Sequence, residues 1–374
     1  MPRILEGNTP IQIGETFGIE FELDCCLPQE VGLMNFRTTH DASCETDKIV
    51  SGGLVLENSQ NDKIFNIIQF NKAVVGTELV SGILDSDVNN SLPIIKSLTN
   101  KLIELGETST SERTGIHFHF SLPNPNLRIL KSILRLGKYL ESLFFVVGSM
   151  GYEFRGIKND SIYCRPITKF GPPCVQHYRG GYTQVYNIYD VLKSSTVQEF
   201  WQRYGDLENH GGRYNPVRYS WLNLYPMYQL GEYKGTLEFR VFNKTLNPEF
   251  IYSALSLCKA FVNHSIKSSY NTLADEDLLH ENSIYSLDLN KNIIRQSLDY
   301  FSELSGLDDG CRKTLHHIIN ISEIPALPRK YVHTHIRREL RDYWSSGNYS
   351  PVLIDPNLIF KPKYVDIHVL RGEA

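Results

Sequence analysis

Three widely separated segments share one pattern, in which apolar residues alternate with charged or imidazole side chains. They are FGIEFEL at 17–23, IHFHF at 116–120 and LEFRV at 237–241. Period-two alternation marks a β-strand whose two faces meet different surroundings. Ile19, Phe21 and Leu23 then point one way, and Glu20 and Glu22 the other. His117 and His119 share a face opposite Ile116, Phe118 and Phe120, and Glu238 shares a face with Arg240. A fourth run, TELVS at 77–81, offers Glu78.

For any one of these strands the simplest reading is a sheet with one face on helices and the other in water. Two like charges at i and i+2 repel, however, and a purely solvated face would dilute them with Thr, Lys or Gln. Several glutamates and two histidines gathered on strand faces make more sense around cations. Carboxylate oxygens suit Mg²⁺ or Mn²⁺, and imidazole tolerates Mn²⁺ and also contacts phosphate. An arginine beside a glutamate ligand suits an anionic group held against that metal.

The rest of the chain sets the frame. Residues 50–56, 64–70 and 77–83 read as further strands, and 91–105 as a helix. The strand at 116–122 ends in Pro123-Asn124-Pro125-Asn126, a turn that opens a helix over 127–147. Residues 148–235 read as an irregular, aromatic middle. A strand follows at 236–242, then a helix opened by Asn247-Pro248-Glu249 and running to about residue 267. Residues 271–344 read as mainly helical, and 349–369 as an edge strand or an arm. Strands and helices mix without regular βαβ alternation, which predicts an α+β fold on an antiparallel sheet. Neither a dinucleotide fingerprint nor a GxxxxGK[ST] loop occurs, so bound ATP would need another architecture.

Composition narrows the function classes. A formal net charge of −4 argues against a broad nucleic-acid or anionic-membrane surface. No apolar run reaches the length of a membrane span, and the N-terminal residues lack an apolar signal core, so a cytoplasmic location is expected. Seven cysteines without framework spacing read as free, mostly buried thiols, with Cys164 structural. His316, His317, His333 and His335 fit no standard zinc spacing.

The ordered set of motifs resembles a known family. FGIEFEL resembles the first metal-binding strand of glutamine synthetases and glutamate–cysteine ligases. GIHFHFS resembles their histidine strand, and TLEFRVFNKTLNPEFIYSALSL their late segment. The nearest pattern is that of the amidoligases, with G-x-E-x-E first, G-x-H-x-H centrally and E-F-R late. NDSIYCRP at 159–166 and RYSWLNL at 218–224 also resemble that family's stretches. The resemblance spans about residues 14–265. One departure is Ala42 beside Asp41, where the family often carries D-G-S, which leaves the role of Asp41 open.

The resemblance implies a curved antiparallel sheet with helices on its convex face, as in a glutamine-synthetase catalytic domain. Residues 1–270 would form the catalytic domain, and 271–374 a mainly helical extension packed on it. It implies an ATP- and Mg²⁺-dependent (or Mn²⁺-dependent) ligase that joins a carboxylate to an amine through an acyl phosphate. The substrates would be small molecules, peptides or protein side chains. Glu20, Glu22, Glu78, His117 and Glu238 would be metal ligands, with His117 and Asn223 toward the nucleotide. Arg240, Arg218, Arg165 and His119 would serve the chemistry. Two alternatives stay open: a guanidino-kinase-like phosphotransferase on the same architecture, and an inactive homologue used for binding or assembly.

Overall fold

A computed structural model describes residues 16–23, 36–40, 77–81, 84–85, 91–104, 115–151, 164, 167, 174–176, 182–184, 188–205, 216–228, 235–267 and 291–322. The alternating segments form the centre of one antiparallel sheet. Its strands are β1 (Thr16–Leu23), β2 (Phe36–His40), β3 (Thr77–Ser81), β4 (Leu84–Asp85) and β5 (Gly115–Ser121). A separate hairpin, β6 (Cys174–Gln176) and β7 (Tyr182–Gln184), precedes the last two strands of the main sheet. These are β8 (Leu222–Asn223) and β9 (Thr236–Asn243). The seven strands run in the order β2-β3-β1-β5-β9-β8, and β4 lies beside β3 on the same edge of β1.

The apolar face of this sheet carries Phe17, Ile19, Phe21, Ile116, Phe118, Phe120, Leu237, Phe239 and Phe242, all buried. It is covered by α1 (Ser91–Glu104), α2 (Leu127–Gly148) and α5 (Pro248–Lys267). Two shorter helices, α3 (Ile188–Leu192) and α4 (Val197–Gly205), lie between α2 and α5 in the chain. Helices α6 (Lys291–Ser305) and α7 (Asp309–Ile321) pack on α2 and α5 and extend the same core with Ile294, Leu298, Phe301, Leu315 and Ile318.

Helix starts follow from local chemistry. The Asn126 side chain accepts from Ile129 N at 3.0 Å, and Asn247 Oδ1 accepts from Glu249 N at 3.0 Å ahead of Pro248 in the first turn. Asp308 caps α7 through Gly310 N and Cys311 N. Helix α2 is buried on nearly all sides because it lies between the sheet and α5 to α7. Its Phe144 ring meets Trp221 at 4.8 Å, Phe239 and Phe261 at 5.6 Å and Phe242 at 6.3 Å. Each such pair contributes about 0.5–1.5 kcal/mol beyond its burial.

Two sequence expectations change. The middle read as irregular contains α3, α4, the β6–β7 hairpin, β8 and two 3₁₀ turns, at Pro216–Tyr219 and Tyr225–Met227. Apart from α4, these elements are too short to show a period. Strand β2 was not anticipated, because FRTTH has no apolar alternation; it is placed by pairing along β3. The strands expected at 50–56 and 64–70, the segment 349–369, Asp41 and Arg165 lie outside the described residues. Among the described residues no helix is long and apolar enough to cross a membrane. Cys164, Cys258 and Cys311 are buried.

Candidate active site

Strand register gathers the polar residues. Glu20 lies opposite His117, and Glu22, two residues along β1, lies opposite Glu78 of β3. His119 lies opposite both Gly18 and Glu238, and Glu238 lies opposite Asn223 of β8. Directly opposed residues of antiparallel strands share a face. One face of the sheet therefore carries Glu20, Glu22, His117, His119, Glu238, Arg240 and Asn223. The description of Glu78 is limited to its backbone, at the register position opposite Glu22.

This face is not in water. Glu22 is 3% exposed, His117 1% and Glu238 4%. Glu20, His119 and Arg240 keep 14–16% of their side-chain surface. Burial of this many ionisable groups disposes of the solvated-face reading, since an unpaired buried charge costs several kcal/mol.

A bulge in β9 places Arg240. Between the pairs Ile116–Phe242 and Phe118–Phe239, β9 spends one more residue than β5, so Arg240 and Val241 together face His117. Phe239 and Phe242 can then both reach the core, where the Phe118 and Phe242 rings lie 5.1 Å apart. Arg240 stays on the polar face, and its backbone N–H donates to Trp221 O at 2.8 Å.

The side chains form one connected network. Glu20 spans both histidines, with Oε1 2.9 Å from His117 Nδ1 and Oε2 3.2 Å from His119 Nε2. Arg240 Nη1 donates to Glu238 Oε1 at 2.6 Å, and that oxygen also lies 3.4 Å from His117 Nδ1. Asn223 Nδ2 donates to Glu238 Oε2 at 2.6 Å. Burial pushes the Glu238 carboxyl up, but Arg240 and the two imidazoles outweigh it and hold the group below the usual carboxylate range. Burial opposes the Arg240 charge, yet Glu238 and then Glu20 more than restore it.

The His117 ring is the informative group. Its Nδ1 faces two carboxylate oxygens, which only accept, so Nδ1 carries a proton. Its Nε2 is buried without a hydrogen bond, and Glu22 Oε1 lies 3.6 Å away. A lone pair aimed at a carboxylate is repulsive, and an N–H left unbonded in the interior costs about 1–3 kcal/mol. A cation between Nε2 and Glu22 would accept the lone pair and take the place of the proton. Ligand atoms of Glu20, Glu22 and His117 lie within 4.8 Å of one another. An imidazole whose other nitrogen donates to a carboxylate is the usual form of a metal-bound histidine. These residues fit a divalent cation with oxygen and nitrogen ligands.

The remaining candidates sit nearby or outside view. Arg218, half-buried, lies over the Tyr225 ring at 5.8 Å, on the turn that follows Asn223. Cys164 is buried within electrostatic reach of Arg240. Sequence reasoning missed Tyr204, whose hydroxyl accepts from Leu224 N at 3.1 Å, and Glu141 of α2. Glu141 Oε2 accepts from Ile167 N at 2.6 Å and from Trp221 Nε1 at 2.9 Å. Both support β8 from outside the sheet, and no local motif announces either.

No curated protein matches the chain. The crystal structure of a bifunctional glutathione synthetase from Pasteurella multocida is similar, with 12% identity and a TM-score of 0.41 over 88% of this chain and 49% of that one. The chain thus spans about half the length of that protein. Residues 14–262 match the model of the family described as "Putative amidoligase enzyme", and the chain belongs to that family.

Proposed function

We propose that the chain is an ATP- and Mg²⁺-dependent ligase that joins a carboxylate to an amine. The observation that carries this reading is the buried His117 Nε2, without a hydrogen bond, beside Glu20 and Glu22 in a chain of the amidoligase family. Glu20, Glu22 and His117 would hold the cation, with Glu78 a further candidate at the register position opposite Glu22. The cation, when bound, neutralises triphosphate charge and orients the terminal phosphoryl group.

In this reading a substrate carboxylate oxygen attacks the γ-phosphorus, the bond to ADP breaks, and an acyl phosphate forms. The amine nitrogen then attacks the acyl carbon, inorganic phosphate leaves, and the nitrogen loses a proton. Arg240 pairs with Glu238 Oε1, and its planar, permanently charged guanidinium suits the transferring phosphoryl group or the substrate carboxylate. Arg218 and Arg165 are candidates for gripping the same anions. His119, hydrogen-bonded to Glu20, fixes that carboxylate and borders the reacting groups. The substrate pair would be an amino acid, a peptide or a protein side chain with an amine.

The test incubates the full chain with ATP, Mg²⁺ or Mn²⁺, and pooled amino acids and amines. Mass spectrometry then looks for a condensation product alongside ADP. A dehydrated adduct that Glu22→Gln abolishes is expected. ADP release without any condensation, or a product indifferent to Glu22→Gln, would overturn the reading.

A further inference from the structure

We propose that Asn223 is a positioning residue for the cation site, acting through Glu238 on His117; this rests on the cation reading above. Asn223 is 2% exposed and its amide has one permitted orientation. Its Oδ1 accepts from Tyr225 N at 3.0 Å, so that atom must be the oxygen. The amide nitrogen is therefore the atom against Glu238 Oε2, at 2.6 Å. A flipped amide would lose both bonds at once and set two oxygens together. The turn that follows Asn223 is pinned independently, by Tyr204 at Leu224 N. Burial pushes the Tyr204 phenol well above its usual range, so the group there is neutral.

The consequence falls on the other Glu238 oxygen. With Oε2 tied to Asn223, Oε1 is aimed at Arg240 (2.6 Å) and at His117 Nδ1 (3.4 Å). Nδ1 is hydrogen-bonded to Glu20 Oε1 at 2.9 Å, and Glu238 Oε1 is the second carboxylate oxygen on that side; carboxylates on Nδ1 fix the ring and make Nε2 a better electron donor. Nε2 is the buried atom facing Glu22. Strand β8 is two residues long, at the sheet edge, and its pairing with β9 sets Asn223 opposite Glu238. A neutral donor is required at this position, because a carboxylate would repel Glu238 and an apolar residue would leave Oε2 bare.

The test uses Mn²⁺ alone as probe, bound to the full chain and read by electron paramagnetic resonance and calorimetry, with a melting curve for each variant. Asn223→Asp keeps the acceptor for Tyr225 N–H and the shape, but removes the donor. It should weaken Mn²⁺ roughly 10- to 100-fold, the scale for losing a partner that orients a metal ligand. The swap Asn223→Asp with Glu238→Gln restores the hydrogen bond and the total charge but moves the negative charge off residue 238. It should recover the melting temperature and leave Mn²⁺ binding weak. Mn²⁺ affinity of Asn223→Asp within about 2-fold of wild type, or recovery of affinity in the swap, would overturn the proposal and leave the cation reading standing. Wild-type chain that binds no Mn²⁺, or binding indifferent to His117→Ala, would overturn both. Should Asn223→Asp not fold, Asn223→Ala removes the donor without added charge and carries the same comparison.

Discussion

Replacing Glu141 by leucine is the sharpest test of how the site's edge strand is held. Glu141 is fully buried in α2, and one oxygen, Oε2, accepts from both Ile167 N (2.6 Å) and Trp221 Nε1 (2.9 Å). Leucine fills similar space but accepts nothing, so two interior N–H groups lose their acceptor. At about 1–3 kcal/mol for each stranded donor, the loss is about 2–6 kcal/mol, a large share of the roughly 5–15 kcal/mol that holds a typical protein folded. Glu141→Gln retains one oxygen able to take both N–H groups and exchanges charged bonds for neutral ones, so it should fall between wild type and leucine. Denaturant unfolding followed by tryptophan emission measures both variants, because Trp221 reports on the bond being removed. The effect should reach the site, since Trp221 O accepts the Arg240 backbone N–H at 2.8 Å. Glu141→Leu within 1 kcal/mol of wild type would refute the argument that this carboxylate clamps β8 to α2.

Three further outcomes are expected. Gly148→Ala would set a Cβ 2.5 Å from Val241 O and 2.9 Å from Val241 Cγ2, so the bulge must move; a loss of about 1–3 kcal/mol by thermal melting, with weakened Mn²⁺ binding, is expected. Arg240→Lys keeps the charge but loses the planar fork, and turnover, once a substrate pair is found, should drop roughly 10²- to 10³-fold with near-normal Mn²⁺ affinity; turnover close to wild type would remove Arg240 from the chemistry. Glu199 is held down to about 2, first by Ser195 N–H, then by the Ser195 hydroxyl and Arg203. Its folded-state pKa lies below the ordinary value of 4.5, so its stabilisation is full above pH 4.5 and fades as pH falls toward 2; melting temperatures of wild type and Glu199→Gln should converge over that window, and a gap independent of pH would exclude this role.

The sequence was most legible where one period carried the information. Alternation in FGIEFEL, IHFHF and LEFRV located three central strands and the residues that share a face, because strand geometry leaves a side chain only two directions. Helices α2 and α5 were legible from their Asn-Pro starts and apolar runs. Helix α4 is legible too from Thr196-x-x-Glu199: Glu199 N donates to the N-cap Thr196 Oγ1 at 3.0 Å, and Glu199 Oε2 reaches one residue beyond the cap to accept from Ser195 N at 2.6 Å. The neighbours of a strand were not legible. Nothing local says that β5 lies between β1 and β9, or that two-residue β8 supplies the partner of Glu238. Pairing of that kind is decided by long-range packing of Phe144, Phe239 and Trp221, and no sequence period reports it.

The bulge shows why the alternation reads correctly up to Arg240 and fails beyond it. In LEFRVF the strict period would send Phe242 to the face of Glu238 and Arg240. A phenylalanine there would meet the buried carboxylates and imidazoles and forfeit its place against Phe118 and Phe144. Adding one residue opposite His117 lets Phe242 return to the core while Arg240 remains on the polar face. The ladder is locally disrupted, and burying a phenylalanine side chain offsets that by about 1.5–3 kcal/mol. Gly148 of α2 is where this arrangement meets the helix layer, because only a residue without Cβ lets the helix approach the Val241 carbonyl. The place of Arg240 beside His117 is thus set from two sides: by the core that draws Phe242 inward, and by a glycine that lets α2 close over the kink.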